Sequence, residues 1–141
     1  NTKGASTVEL ISRLSKKGVI CNVTAIFTVE QIKNVVSHLD SSTPAILSVF
    51  AGRIADSGID PMSTMKKSVS ISKMKSKSEI LWASTREAYN YMQANDCKCE
   101  IITMPPKIIE KISKFGKSFR VLTLDTVKTF YKDALEANFK I

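Results

Sequence analysis

Long apolar segments are absent from this chain. No run approaches the ~20 consecutive apolar residues that span a bilayer, so we expect neither a membrane helix nor a membrane partner. The first four residues are NTKG and carry no hydrophobic stretch of the secretory kind.

Cysteine and histidine are scarce. The three cysteines are an odd number, and a single residue separates Cys97 from Cys99. That spacing suits neither a zinc site nor a disulfide framework, so we predict no metal and a location in the reducing cytoplasm. The single histidine, His38, lies on a predicted helix away from the strand ends, which argues against a catalytic role for it.

Length and charge limit the fold and the partners. The chain has 141 residues, 43% apolar and 24% charged, which is typical of a globular domain. This is too short for a complete α/β barrel of about 250 residues. The 21 basic and 13 acidic side chains give a net charge of +8. Because the lysines are spread over several helical phases without interleaved aromatics, we expect a solvated surface and no nucleic-acid partner.

Strand and helix patterns alternate along the chain. Strands are predicted for residues 19–24, 45–50, 79–84 and 99–103, and helices for residues 4–17, 28–39, 62–75, 84–94, 106–114 and 126–137. Capping-box pairs at 6/9, 28/31 and 84/87 mark three of the helix starts. Residues 53–61, which include Gly58 and Pro61, are predicted to form a polar loop.

The alternation predicts an α/β fold in which parallel β-strands alternate with helices through right-handed crossovers. Four such strands with helices on one side leave the other face of the sheet uncovered. The first predicted helix also has no strand before it. Both features predict half of a closed barrel, with the earlier strands on the N-terminal side; an independent doubly wound sheet is the alternative.

Polar side chains gather at the predicted carboxyl ends of the first two strands, where barrel enzymes carry their chemistry. Asn22 and Thr24 share one face of the first strand, and an amide and a hydroxyl can bind a sugar or orient a water. Ser48 and Phe50 share one face of the second strand and are followed by Arg53. An arginine fork grips phosphate well, although a buried strand with a solvated arginine is the simpler interpretation.

Ser84 and Arg86 follow the third strand, at a predicted helix start. Helix starts present unpaired N–H groups and favour anions, whereas an arginine there opposes the helix dipole. That arginine therefore indicates a bound anion, and with Arg53 it would complete a phosphate cradle. The alternative is that Ser84 only caps the helix and Arg86 points into solvent.

These segments resemble the transaldolases, class I Schiff-base enzymes built on a (β/α)8 TIM barrel. NVTAIF at 22–27 is similar to the Asn-x-Thr-x-x-Phe segment of the fifth strand, and SVFAGRI at 48–54 to Ser-x-Phe-x-Gly-Arg-Ile of the sixth. ASTR at 83–86 is similar to Ala-Ser-x-Arg of the seventh strand, and TMP at 103–105 to Thr-x-Pro of the eighth. The resemblance implies that residues 1–141 are one segment, the C-terminal half of the barrel (strands 5–8), without the N-terminal half.

The resemblance also implies an activity and assigns roles to residues. The activity is transfer of a dihydroxyacetone unit between sugar phosphates through a lysine imine, as in the pentose phosphate pathway of carbohydrate metabolism, with no cofactor. The predicted phosphate-binding residues are Arg53, Ser84 and Arg86. Asn22 and Ser48 would bind sugar hydroxyls, Phe50 would wall the site, and Thr24 would help to position the catalytic water.

The imine-forming lysine of the transaldolases lies at the end of the fourth strand, so we expect it upstream of Asn1. Lys3 is the nearest lysine, but it lies in the loop beyond that strand end. A lysine in an ordinary environment is protonated at neutral pH and is a poor nucleophile. The chain alone is therefore expected to be inactive, with the N-terminal half of the same barrel as its partner and homo-oligomerisation left open.

Two other functions remain open. The related fructose-6-phosphate aldolases typically have tyrosine at the position of Phe50 and lack the equivalents of Asn22 and Ser48. The sequence therefore favours the transaldolases over such an aldolase. A non-catalytic phosphate-binding domain is the third interpretation.

Overall fold

The computed structural model describes residues 2–75 and 77–138, which form two compact units, one up to Ile109 and one from Glu110. In chain order the elements are α1 (Val8–Ser15), β1 (Cys21–Ile26), α2 (Val29–His38), β2 (Ala45–Val49), α3 (Ala51–Asp56), α4 (Met62–Lys75), β3 (Ser78–Trp82), α5 (Asn90–Asp96), β4 (Ile101–Ile102), α6 (Pro106–Ile112) and α7 (Phe119–Glu136). Among the described residues, no helix combines the length and the apolar character that crossing a membrane requires.

The four strands form one parallel sheet in the order β1-β2-β3-β4. Each strand pairs with the next one in sequence, and helices make the crossovers between them. In the register, Ser48 lies beside Leu81 and Val49 beside Trp82. The predicted α/β fold with parallel strands is confirmed, and it is consistent with part of a (β/α)8 barrel.

One face of the sheet forms the core. Leu47, Val49 and Ile80 alternate along β2 and β3 with no exposed surface, and they pack with Ile32 of α2 and Met65 of α4. Full burial of such a side chain stabilises the fold by about 1.5–3 kcal/mol. The face of the sheet opposite this core carries Asn22 and Ser48, which the sequence singled out.

Trp82 also belongs to the core. Strand β3 ends at Trp82, and the indole is fully buried. The register places Trp82 beside Val49, on the helix-covered face. Trp82 therefore contributes to packing.

Local sequence signals predicted the start of α2 correctly. The Thr28 hydroxyl accepts from the Gln31 N–H at 3.2 Å, and the Gln31 side-chain oxygen accepts from the Thr28 N–H at 3.1 Å. This reciprocal pair satisfies two backbone donors that the helix itself cannot pair. The predicted helix over residues 28–39 is thus confirmed to within one residue at each end.

Other predicted boundaries were wrong. The first helix begins at Val8, because Ser6 accepts from the Val8 N–H at 3.3 Å rather than closing a capping box with Glu9. The last helix begins at Phe119, well before Thr126, where the Ser118 hydroxyl accepts from the Val121 N–H. Strand β4 spans two residues instead of the predicted five.

The predicted loop over residues 53–61 was also wrong at its start, because α3 follows β2 directly. Ala51 and Ile54 lie three residues apart on this helix and are both buried. The three-residue spacing of these apolar side chains was the sequence signal that could have revealed α3. The presence of α3 matters because it carries Arg53.

Candidate functional site

A hydrogen bond joins the first two strands at the predicted sugar-binding residues. Asn22 lies beside Ile46 in the register, so it shares a face with Ser48 two residues further along β2. The Ser48 hydroxyl donates to the Asn22 side-chain oxygen at 2.8 Å. Ser48 is 4% exposed, whereas Asn22 is exposed. This bond uses one lone pair of the Asn22 amide oxygen, so the amide nitrogen and the second lone pair of that oxygen remain for a ligand.

Thr24 lies two residues beyond Asn22 on β1 and is exposed. The pairing register shifts between Val23 and Ile26, and Ala25 adopts a φ of 61°. A bulge of this kind re-aims the side chains next to it. The Thr24 side chain borders a recess of about 400 Å³ between α1, β1 and α2, and its predicted role with water stays a prediction.

Phe50 connects β2 to the arginine of α3. Its ring lies 5.7 Å from that of Phe27 between centroids, with the planes inclined at 54°. The guanidinium carbon of Arg53 lies 5.1 Å from the centre of the Phe50 ring, within the range of a cation–π contact. Phe50 thus forms an aromatic surface beside the strand end, and it positions the Arg53 guanidinium.

Gly52 brings α3 against the loop after β3. Its N–H donates to the carbonyl of Ala83 at 3.3 Å. A Cβ at position 52 would overlap the carbonyl oxygen of Ser84 and lie 2.7 Å from its carbonyl carbon. Only glycine leaves room for this approach, which places the SVFAGRI segment beside the ASTR segment.

Ser84 does not cap a helix, so this part of the prediction was wrong. Ser84 has a φ of 67°, in the left-handed region that serine rarely adopts, and α5 begins only at Asn90. The Asn90 side-chain oxygen accepts from the N–H of Arg86 at 2.9 Å and from that of Glu87 at 3.2 Å. Arg86 therefore precedes α5 and, contrary to the prediction, does not lie in the first turn of a helix, where it would oppose the helix dipole.

Arg86 is paired with a carboxylate that the sequence did not single out. Its Nε lies 3.1 Å and 2.9 Å from the two Asp56 oxygens, and its Nη2 lies 2.6 Å from Oδ2. This hydrogen bond holds the pKa of Asp56 below its usual value and raises that of Arg86, and the charge of Arg53 also lowers the pKa of Asp56. The Arg86 side chain is 47% exposed, so it reaches solvent while it is paired with Asp56.

The loop that carries Ser84 and Arg86 is also tied to the end of β4. The Thr85 hydroxyl donates to the Thr103 carbonyl at 2.6 Å. A recess of about 290 Å³ lies between the two segments, lined by Ser84, Thr85, Arg86, Thr103, Met104 and Pro105. Convergence of Arg53, Ser84 and Arg86 on one phosphate stays a prediction, although the elements that carry them are in contact.

His38 lies away from the carboxyl ends of the strands, and the described residues contain no metal-binding group. His38 ends α2, on the side of the sheet where the parallel strands begin, and its Nδ1 lies 2.8 Å from the Asn34 carbonyl. Within residues 2–75 and 77–138, no group of three His, Cys, Asp or Glu side chains could hold a metal ion. The predicted site residues supply hydroxyls, the Asn22 amide and two guanidiniums, and the Arg86 guanidinium is paired with the Asp56 carboxylate.

Comparisons with known proteins match these segments. A "Probable transaldolase" of Dehalococcoides mccartyi is 35% identical over 106 residues, which cover 74% of this chain and 47% of that protein. One from Roseiflexus castenholzii is 33% identical, covering 74% and 46%. One from Thermoanaerobacter sp. is 30% identical, covering 97% and 60%. The chain thus spans about half the length of these curated relatives.

The family model described as "Transaldolase/Fructose-6-phosphate aldolase" matches residues 4–141, nearly the whole chain. The parallel α/β sheet agrees with the TIM barrel of that family. The chain belongs to the transaldolase/fructose-6-phosphate aldolase family.

Proposed function

We propose that this chain forms the substrate-recognising half of a transaldolase, which transfers a dihydroxyacetone unit between sugar phosphates. The observation that carries the proposal is the 2.8 Å hydrogen bond from Ser48 to Asn22. It joins Asn22 and Ser48, the two residues that by the family resemblance favour a transaldolase over the related aldolases. It also leaves an amide donor and a hydroxyl oxygen side by side, which suits the vicinal hydroxyl groups of a sugar.

In this proposal Arg53, Ser84 and Arg86 bind the phosphate of the substrate. The contact between Gly52 and Ser84 supports their grouping, because it fixes α3 against the loop that carries the second arginine. Guanidinium groups form short, charge-assisted hydrogen bonds with phosphate. The wall of the sugar site is Phe50, whose ring already contacts the Arg53 guanidinium.

The covalent step requires a lysine at a strand end. Within the described residues, none of the strands β1, β2, β3 and β4 carries one. We therefore assign the imine-forming lysine to the N-terminal half of the same barrel, upstream of Asn1. Thr24 would orient the water that moves the proton, since its hydroxyl can both donate and accept. On this basis the 141 residues alone are inactive.

The compartment and assembly belong to the same proposal. We place the protein in the cytoplasm, where three free cysteines stay as thiols. Its partners are sugar phosphates and the N-terminal barrel half, and a homo-oligomer is compatible with the proposal.

Imine trapping tests the enzymatic part. The chain would be joined downstream of the part of the Thermoanaerobacter relative that it does not match, and treated with fructose 6-phosphate and borohydride. We expect a covalent sugar adduct on the hybrid and none on the chain alone. A folded hybrid that forms no adduct, while the intact relative does, would refute the imine mechanism.

An acceptor assay separates the candidate functions. Transfer of the three-carbon unit to erythrose 4-phosphate is the outcome expected for a transaldolase. Release of glyceraldehyde 3-phosphate without transfer would instead identify an aldolase. Phosphate-ester binding with neither reaction would identify a non-catalytic binding domain.

A further inference from the structure

Helix α3 carries two opposite charges, and Asp56 is the one that contacts the loop after β3. Arg53 and Asp56 lie three residues apart, so they share one face of the helix. Gly52 fixes the start of α3 against the Ser84 carbonyl, and a Cβ at this glycine would lie 3.2 Å from Cγ of Arg86. The stem of Arg86 therefore runs along the start of α3, and its guanidinium meets Asp56.

The contact between Asp56 and Arg86 uses one edge of the guanidinium. Nε donates to the carboxylate at 3.1 Å and 2.9 Å, and Nη2 donates at 2.6 Å. A guanidinium has five N–H groups in a rigid plane. Asp56 uses two of them, so the two on Nη1 and one on Nη2 remain for a second anion on the other edge.

The contact contributes little to the stability of the fold. The side chains of Arg86 and Asp56 are 47% and 50% exposed, and exposed ion pairs contribute little because water and salt screen them. The contact with Asp56 also fixes the orientation of the Arg86 side chain, which would otherwise sample many rotamers. A side chain that is already fixed loses less freedom when it binds a ligand.

We propose that Asp56 is a positioning residue for phosphate recognition: it holds the Nε–Nη2 edge of Arg86 and aims the Nη1 edge at the phosphate. This inference rests on the proposed phosphate-binding role of Arg86. The opposite expectation is repulsion, in which the Asp56 charge weakens the binding of an anion. Removal of the Asp56 charge would weaken phosphate binding if Asp56 positions Arg86 and would strengthen it if Asp56 repels the anion. One substitution therefore separates the two expectations.

In the test, the full chain is titrated with glycerol 3-phosphate, and calorimetry measures the affinity. Asp56→Asn removes the charge and places an amide donor against the guanidinium donors, so it releases Arg86. We expect about three- to tenfold weaker binding, which corresponds to the cost of ordering one long side chain. Glu87→Gln removes the same charge from the loop of Arg86 and serves as the matched control, with less than about a twofold change expected.

Further variants and a second readout complete the design. Arg86→Ala should weaken binding at least as much as Asp56→Asn, and adding Asp56→Asn to it should weaken binding no further. The Nε–H resonance of Arg86 in NMR spectra should shift and broaden in Asp56→Asn, and the melting temperature should stay nearly unchanged. This resonance reports orientation even if binding is weak.

The results separate a failure of the positioning role of Asp56 from a failure of the phosphate site. Unchanged or tighter binding by Asp56→Asn, with weaker binding by Arg86→Ala, would overturn the positioning role and leave the phosphate site intact. Unchanged binding by Arg86→Ala would refute the phosphate site itself. Equal losses in Asp56→Asn and Glu87→Gln would attribute the effect to net charge and would also overturn the positioning role.

Discussion

Replacing Gly52 with alanine tests the contact that brings the two arginine-bearing segments together. Gly52 lies in the first turn of α3, and its N–H donates to the Ala83 carbonyl at 3.3 Å. An added Cβ would overlap the Ser84 carbonyl oxygen and lie 2.7 Å from the carbonyl carbon. Both atoms belong to the backbone, so no rotamer change can relieve the overlap.

Two opposing effects determine the expected magnitude. Helix propensity alone makes Gly52→Ala stabilising by about 1 kcal/mol. Overpacking against a fixed neighbour costs about 1–3 kcal/mol, and loss of the hydrogen bond to Ala83 adds about 1 kcal/mol. The sum is a net destabilisation of about 1–3 kcal/mol. The sign is thus opposite to that expected from propensity.

Urea unfolding followed by tryptophan fluorescence measures this effect, because the single Trp82 is fully buried in the core. Ala55→Gly is the matched control: Ala55 is exposed on the same helix, so its substitution should cost about 1 kcal/mol from propensity alone. A Gly52→Ala variant as stable as the original chain, or more stable, would refute the close approach between α3 and the Ser84 loop.

Two further substitutions test the loop around Arg86 and the half-buried thiol of Cys99. Asn90→Ala should lower the free energy of unfolding by about 1–2 kcal/mol in urea titrations, because the N–H groups of Arg86 and Glu87 lose their acceptor. Asn90→Asp keeps an acceptor oxygen at this position, so its free energy of unfolding should stay closer to that of the original chain. Equal losses of stability in Asn90→Ala and Asn90→Asp would contradict this role of Asn90. Burial raises the pKa of Cys99 from 9.0 to about 12, so its contribution to stability is complete below about pH 9 and is lost as pH rises towards 12. Urea midpoints should therefore fall less steeply between about pH 9 and 11 in Cys99→Ala, and parallel curves would contradict the assignment.

The arrangement of the sheet could be predicted from the sequence because it depends on local patterns. Apolar runs alternate with helical stripes, and the Thr28–Gln31 capping box acts across three residues. Short connections between these elements leave few topologies. The parallel order of the four strands followed from these features alone.

The details of the site depend on contacts between distant parts of the chain. Gly52 reads as a helix breaker, and only the Ser84 carbonyl beside it explains why it lies within α3. The left-handed Ser84 gives no local signal, so its capping-box spacing was misleading. Asp56 and Arg86 are 30 residues apart, and no sequence period connects them.

The anchoring of the loop around Arg86 has a consequence for the thermodynamics of binding. Thr85 is fixed to the Thr103 carbonyl, and the Asn90 side chain holds the next two N–H groups. The backbone on both sides of the guanidinium has therefore lost its freedom during folding, before any anion arrives. An anion would meet a receptor that needs little rearrangement, so its association should be fast and its entropic penalty small.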